Sequence, residues 1–230
     1  DLGVHYVGKL GPGETFRELL DLLGLEDLEF IELDPDGFEH YVFPDYRFSF
    51  CRGADRLKEQ LVNRFPDEER GIQEFLDLIV RIDTACEPSE LAKGGLTSWV
   101  AYLIKHPLIL RYGNVRYQAF LDKMFRNPRL KAVLSAPLFD VAVGPKDVSA
   151  ATAMSLWGYY VNGAYYPKGG SRALRDVFVE HMTAVGARLI CSAPVSNITK
   201  RGKTWTIRTE SGEEHRSKIV ISNADPHLTI

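Results

Sequence analysis

Residues 165–171, which read YYPKGGS, decide the fold because they separate a helical middle from a β-rich end of the chain. Gly169 and Gly170 allow positive φ angles and a close backbone approach, as a tight strand-to-helix turn requires. Ser171 is a candidate N-cap for a helix over 172–185, and Gly186 is expected to end that helix. The sequence on either side of this turn has a different character.

Downstream of the turn, short apolar runs separated by turn residues predict β-strands. Turns are expected at 200–203 and at Ser211-Gly212. The predicted strands cover 187–192, 195–200, 205–209 and 219–222.

Upstream of the turn, helices dominate. A helix is expected over 15–23 with Gly24 as its C-cap. Three short strands at 28–33, 38–43 and 46–51 then predict a small antiparallel meander, with turns at residues 35–37 and 44–45. Helical patterns follow over 54–65, 66–86, 96–110 (divided at Pro107), 115–125, from 127 onward, and 149–161. The predicted class is α+β, a helical lobe flanked by β-rich segments.

The composition is that of an ordinary globular protein. The 230 residues are 45% hydrophobic and 26% charged, with a net charge of −3, which gives no basic face for nucleic acid. The three cysteines, Cys51, Cys86 and Cys191, show no metal-ligand spacing and favour a reducing compartment. No run reaches the roughly 18 apolar residues of a membrane-spanning helix, and no signal peptide follows Asp1. We expect an internal piece of a cytoplasmic protein that can associate with a membrane.

Three motifs occur in an order that is typical of one protein family, beginning with DLGVHYVG at residues 1–8 and YPKGGS at residues 166–171. The first resembles the D-x-G-x-H-Y-x-G stretch, and the second is similar to the Y-P-[KR]-G-G-S motif, of the retinol saturase and phytoene-dehydrogenase-related flavoproteins. The segment that follows in the family is similar to Gly186-Ala187, then Val195 with Ile198, then IVISNAD at 219–225. Order and spacing agree over nearly the whole chain.

The resemblance implies an amine-oxidase-like FAD superfamily member that desaturates, saturates or isomerises polyene lipids such as carotenoids and retinoids. The family's glycine-rich strand–GxGxxG–helix, which holds the FAD pyrophosphate, is not found, because residues 8–13 have the wrong spacing. FAD is expected in the intact protein, whereas the isolated piece is expected to be inactive. The implied parts are a residual edge of the FAD domain (1–25), a substrate-binding region (26–164) and a return to FAD-domain strands (165–230).

Several residues match positions at which the family contacts its cofactor. Val195 resembles the valine whose backbone binds adenine in the family. The alternative is that Val195 is an ordinary strand valine with no role in binding. Ser222, Asn223 and Ala224 resemble a strand end beside the nucleotide-binding sheet, although the same residues fit a loop in which Asn223 or Asp225 caps the next helix. The loop at Gly169 and Gly170 is implied to lie between substrate and flavin, or it is a turn that binds nothing.

His5 and Tyr6 are the candidate catalytic residues, since they lie where the family's chain passes the flavin ring. A histidine can move protons near neutral pH, although a lone histidine more often has a structural role. No cluster with metal-ligand spacing and no Ser/His/Asp arrangement accompanies them.

The apolar middle of the chain could line a lipid tunnel, although helical core packing predicts the same residues. Trp99, Tyr102, Lys105 and His106 together resemble a membrane-interface anchor. The candidate substrate-binding residues are Trp99, Leu103, Trp157, Tyr160 and Tyr166.

Two other functions fit the residues. One is a non-enzymatic module that binds a lipid or a partner, and the other is a flavin amine oxidase on the same scaffold. Exposed strand edges also predict self-association of the isolated chain.

Overall fold

The structure, a computed structural model, describes residues 5–25, 28–86 and 96–229. The chain divides into two compact units, Asp1–Val177 and Phe178–Ile230, with the division inside one helix. The first unit is mainly helical with two small sheets, and the second contains a three-stranded sheet. The predicted α+β class is confirmed. The finer domain limits, at 25 and 164, remain predictions.

The helices of the described chain follow the sequence signals closely. Pro107 separates two helices as expected, and the Asn127 side chain accepts hydrogen bonds from the first turn of the helix that starts at Pro128. Short 3₁₀ helices cover Pro66–Glu68 and Ala136–Val141. The helices are α1 Thr15–Leu22, α2 Ala54–Arg64, α3 Glu69–Ala85, α4 Leu96–Lys105, α5 Pro107–Gly113, α6 Tyr117–Met124, α7 Pro128–Ser135, α8 Ala150–Tyr160, α9 Gly170–Ala184 and α10 Pro226–Thr229.

The predicted three-stranded meander is wrong. Strands β2 (Glu39–Val42) and β3 (Arg47–Phe50) form an antiparallel hairpin, but β1 (Phe30–Glu32) pairs with β4 (Tyr165–Pro167). The turn at 34–37, closed by the Gly37 amide donating to the Asp34 carbonyl, leads the chain from one sheet into the other. A meander was predicted because adjacent strands usually pair, whereas the partner of β1 lies far along the sequence.

The start of α9 also differs from the expectation. The helix begins at Gly170, so Ser171 lies in its first turn and not at the N-cap. Two consecutive positive φ angles, at Gly169 and Gly170, bring the chain directly from β4 into the helix. Gly186 ends the helix as predicted, with a φ of 85° and an amide bonded to the Thr183 carbonyl.

In the second unit, β5 (Val195–Arg201), β6 (Thr204–Thr209) and β7 (Glu214–Ser217) form an antiparallel sheet in sequence order. The strands predicted at 187–192 and 219–222 are not strands, and β7 was not predicted. Both apolar runs are exposed, with Leu189 at 56% and Ile221 at 91%. A segment becomes a strand only where a neighbouring strand supplies its hydrogen bonds. The polar segment β7 has such a neighbour, because it pairs with β6.

The core of the first unit is organised around Trp157 on α8. Its ring lies 4.6 Å from the ring of Phe50 and 5.7 Å from that of Phe75, measured between centroids. Its indole N–H donates to the Leu134 carbonyl at 3.0 Å, and the Tyr117 hydroxyl donates to the same oxygen at 2.8 Å. One carbonyl at the end of α7 therefore fixes side chains of both α6 and α8.

Helices α3 and α8 approach closely at Gly158. A Cβ atom added there would lie 2.5 Å from the Cβ of Asp83, which is closer than real side chains come. Glycine at this position therefore allows the two central helices to pack.

We expect Gly158→Ala to destabilise the chain by about 1–3 kcal/mol, because the new methyl group must push α3 away. Gly113→Ala is the matched control, since an added Cβ meets nothing within 4 Å there. It should be neutral or stabilise by up to about 1 kcal/mol through helix propensity. Urea unfolding of both variants measures the difference, and equal stabilities would contradict the close crossing.

Candidate functional site

The candidate site begins with the segment that carries His5 and Tyr6. Val7 exchanges two backbone hydrogen bonds with Tyr165, at 2.7 and 2.8 Å, so the segment is held against the start of β4. Residues 1–4 of the motif that predicted this segment lie outside the described residues.

Tyr6 lies between two carboxylates. Its hydroxyl donates to Glu39 Oε2 at 2.6 Å and lies 3.4 Å from Asp140 Oδ2. A phenol has one proton, so it can donate to only one of these carboxylates at a time. The shorter distance shows that Glu39 is the main acceptor.

His5 is the solvent-facing member of the group. Its Nε2 lies 2.8 Å from Asp140 Oδ1, and its side chain is 41% exposed, against 9% for Asp140. An exposed imidazole bonded to a nearly buried carboxylate is held in one orientation.

Strand β2 and helix α8 complete the group. Glu39 and Tyr41 are two residues apart on β2 and share a face, and the Tyr41 hydroxyl also donates to Glu39 Oε2. Tyr160, at the end of α8, packs edge-on against Tyr6 with 4.8 Å between ring centroids, and its ring lies 6.2 Å from that of His5.

The tyrosines of this group are held in the protonated form. Burial, and then the hydrogen bond and negative charge of Glu39, raise the pKa of Tyr6 and of Tyr41 far above the ordinary tyrosine value. Burial and the charge of Asp140 raise the pKa of Tyr160 in the same direction. These phenols therefore remain protonated at every physiological pH.

The structure brings together the predicted residues His5, Tyr6 and Tyr160 and adds Glu39, Tyr41 and Asp140, which sequence reasoning missed. The alternation of polar Glu39 and Tyr41 in a predicted strand was a weak signal. Asp140 gave no signal, because it comes from a 3₁₀ helix far along the chain. Together these side chains form one group, in which His5 bonds to Asp140, Tyr6 and Tyr41 both donate to Glu39, and Tyr6 lies between the two carboxylates.

The predicted turn residues lie in the same unit. Gly169 and Gly170 adopt φ angles of 87° and 79°, and a Cβ added at Gly170 would meet open space. Lys168 is exposed and pairs with Glu29. Tyr166 lies in β4 opposite Ile31. Their roles toward a ligand remain predictions.

The other substrate candidates occupy two environments. Trp157 is 1% exposed in the core, so a ligand could reach it only by displacing core side chains. Trp99 is 51% exposed on α4, and Leu103 on the same helix is half-buried. Tyr102 faces inward from α4, and its hydroxyl donates to the Ala85 carbonyl at 2.7 Å.

In the second unit the predicted cofactor residues are accessible. Val195 is 53% exposed at the first position of β5. Ser222, Asn223 and Ala224 are exposed in an irregular segment. Asp225 caps α10 by accepting from the His227 amide at 2.8 Å, as one of the two sequence interpretations expected.

Among the described residues, no group of three His, Cys, Asp or Glu side chains is arranged to hold a metal ion. Within the same residues, no helix is long and apolar enough to cross a membrane.

No family model matches the chain. All-trans-retinol 13,14-reductase of Danio rerio is 26% identical over 239 residues, which cover 97% of this chain and 39% of that protein. Prolycopene isomerase 1, a chloroplastic protein of an Oncidium hybrid cultivar, is 26% identical over 196 residues, which cover 80% of this chain and 33% of that protein. The chain thus spans about 40% or less of the length of these relatives.

Solved structures resemble the chain in fold. A putrescine oxidase double mutant, from a redesign of cofactor binding, superposes with a TM-score of 0.57 at 17% identity, covering 94% of this chain and 45% of that one. The sequence relatives confirm the resemblance to retinol saturase-like and phytoene-dehydrogenase-related proteins that three motifs predicted. The solved structures confirm that the fold is amine-oxidase-like.

We expect the phenols of Tyr6 and Tyr41 to resist ionisation in the folded chain. Unfolded tyrosines lose protons near pH 10, while these two keep theirs. Above about pH 10 the folded state therefore binds more protons than the unfolded state, and its stability, complete below that pH, falls as pH rises.

An absorbance titration of phenolate checks this. In denaturant all ten tyrosines should titrate together, whereas part of the signal of the folded chain should appear only with alkaline unfolding. Tyr6→Phe should remove one phenol from that late fraction. An unchanged late fraction would show that Tyr6 ionises freely and that the described hydrogen bond is not formed.

Proposed function

We propose that the intact protein is an FAD-dependent oxidoreductase that acts on polyene lipids, by desaturation, saturation or isomerisation of a carotenoid or retinoid. One observation carries the proposal. The chain aligns over 97% of its length with a protein named for retinol reduction, and over 80% with one named for prolycopene isomerisation. Retinol and prolycopene are both conjugated lipids, so the shared region fits a site for that class of substrate.

The described residues fit a flavin dinucleotide in two respects. The backbone at Gly169 and Gly170 has the positive φ angles of a turn that a ligand can approach, with open space at Gly170. Val195 and the segment from Ser222 to Ala224 are exposed, so their backbone is accessible to a nucleotide. The flavin would supply electron or hydride exchange with the substrate.

The chain's own residues would then handle protons and position the polyene. His5 is exposed and can exchange a proton with a substrate carbon, while Asp140 orients the imidazole. On the other side of Asp140, the Tyr6 hydroxyl lies 3.4 Å from Asp140 Oδ2. Tyr160 supports His5 from the interior, since its side chain is buried and its ring centroid lies 6.2 Å from that of the imidazole.

The amine oxidase alternative is weaker, because the similarity to putrescine oxidase lies in the fold alone. The sequence relatives are named for polyene chemistry. The non-enzymatic alternative predicts that the full-length protein binds a lipid but does not change it, so an assay of polyene turnover separates it from the oxidoreductase.

We also propose peripheral membrane contact through α4, since a polyene must be taken from a bilayer. Trp99, Val100 and Ile104 are 51%, 50% and 75% exposed, and Lys105 ends the helix. An exposed apolar face with an aromatic and a basic residue is typical of helices that lie in a membrane interface. The protein would then be cytoplasmic and bind the membrane from that side.

Self-association of the isolated chain is supported by exposed aliphatic side chains in the second unit. Leu189, Ile190, Ile219 and Ile221 are between 43% and 91% exposed, and such surfaces tend to pair.

We expect His5→Gln in the flavin-loaded full-length protein to lower kcat on a polyene substrate by about 10²–10⁴, the usual range for loss of a general acid or base. The substrate KM should change little, because His5 contributes to the proton step more than to binding. His40→Gln is the control, since His40 is exposed on β2 and bonds only to Ser49 among the described contacts. Product formation is measured by chromatography of retinol and prolycopene incubations.

Each outcome is informative. Turnover of a polyene, with loss in His5→Gln alone, supports the proposal. Turnover of putrescine and not of either polyene would favour the amine oxidase, and lipid binding without turnover would favour the binding module.

We expect the double variant Trp99→Ser/Ile104→Ser to bind neutral phosphatidylcholine vesicles several-fold more weakly than the parent, because apolar area that enters the interface is lost. Val80→Ser on α3 is the matched control, since Val80 is 51% exposed, as Trp99 is. Co-sedimentation with vesicles measures the difference. Equal losses in the double variant and the control would exclude α4 as the contact.

A further inference from the structure

A second feature of the first unit is a cleft of about 350 Å³ between α1, α3 and α8. Its volume lies within the range of small-molecule sites, although near the lower end. Apolar surface predominates, and a single ion pair provides its charge. The cleft is lined by Lys9, Phe16, Leu19, Asp83, Ser155 and Tyr159, among others.

Lys9 and Asp83 form that ion pair. The Lys9 ammonium bonds to Asp83 Oδ2, and the two side chains are only 12% and 22% exposed. A pair so little hydrated keeps a stronger local field than a surface pair.

The position of the lysine is fixed by its backbone. Lys9 has a φ of 59°, in the left-handed region, and its carbonyl accepts the amides of Phe16 and Arg17 at 3.0 and 3.1 Å. Asp83 packs directly over Gly158, where an added Cβ would lie 2.5 Å from the Asp83 Cβ. The charged ends are therefore preorganised at the wall of the cleft.

The pair leaves hydrogen-bonding capacity for a ligand. An ammonium has three donors, of which the described contacts use one, and a carboxylate can accept several hydrogen bonds. A hydroxyl group could accept from Lys9 and donate to Asp83 at the same time. A hydrocarbon in the same cleft would gain neither bond and would keep water from the ion pair.

The cleft adjoins the candidate catalytic group. Tyr159 lines the cleft and packs edge-on against Tyr160, with 4.8 Å between ring centroids, and Tyr160 packs against Tyr6. His5 and Lys9 are four residues apart, which limits their Cα separation to roughly 14 Å. One elongated ligand could therefore place its polar end at Lys9 and its chain near His5.

We propose that the Lys9–Asp83 pair is a specificity-determining anchor for the hydroxyl end of an amphipathic polyene. This inference rests on the proposed function and narrows it to polyene alcohols over pure hydrocarbons. The pair positions the substrate and takes no part in the proton step.

The test compares two ligands with one carbon skeleton, all-trans-retinol and its dehydrated hydrocarbon anhydroretinol. Radiolabelled ligand binding to the full-length protein should favour retinol. Lys9→Met/Asp83→Leu removes the anchor without leaving a lone buried charge, and it should weaken retinol binding about tenfold, as expected for lost hydrogen bonds to charged groups. Anhydroretinol binding should be unchanged or tighter.

Arg17→Met is the control, because it removes a nearby cation whose acidic partner is Asp21, outside the cleft. Circular dichroism of each variant verifies folding. If the double variant does not fold, the single variant Asp83→Asn, which keeps the size of the side chain, provides a second measurement. Asp83→Asn should also weaken retinol binding.

The outcomes separate this inference from the proposed function. Equal binding of both ligands, or a preference for retinol that survives in the double variant, would overturn the anchor and leave the polyene function standing. Binding of neither ligand, with folded and flavin-loaded protein, would overturn the anchor, and the proposed function would be overturned as well if prolycopene were also not turned over.

Discussion

The close crossing of α3 and α8 at Gly158 is the constraint on which the rest of the first unit depends. Because glycine has no side chain, α8 can lie directly against α3, and Trp157 then reaches both Phe50 and Phe75. The same crossing sets the position of Asp83. Core packing and the placement of a charged side chain are therefore consequences of one short contact.

From this crossing, α8 extends toward both functional features and ends between them. Tyr159 faces the cleft that holds Lys9, and Tyr160 packs against Tyr6 and His5. Consecutive residues of a helix point in directions about 100° apart, so two neighbouring tyrosines can serve two sites. The N-terminal segment also needs a glycine at position 8, because any side chain there would collide with the Tyr159 carbonyl.

The sequence predicted what depends on local signals and missed what depends on distant pairing. Proline and glycine positions predicted the division at Pro107, the Asn127 cap and the end of α9 at Gly186, because these residues act on their own backbone. The pairing of β1 with β4 joins residues more than 130 positions apart and has no local signal. His5 and Tyr6 could be predicted because they lie in a local sequence motif. Glu39 and Asp140 could not be predicted, because they reach the site only through pairings between distant parts of the chain.

The group around Tyr6 is costly for folding, which favours a functional origin. Glu39 and Asp140 share the neighbourhood of one phenol proton, so two like charges and several hydroxyl groups are withdrawn from water together. Two backbone hydrogen bonds between Val7 and Tyr165 already hold the N-terminal segment in place. Apolar side chains instead of these polar ones would therefore be sufficient for packing. His5 is the exposed member of these polar side chains, and it is bonded to Asp140, whose side chain is only 9% exposed. A group of side chains that only stabilises the fold does not need an exposed, titratable member, whereas a proton-transfer site requires one.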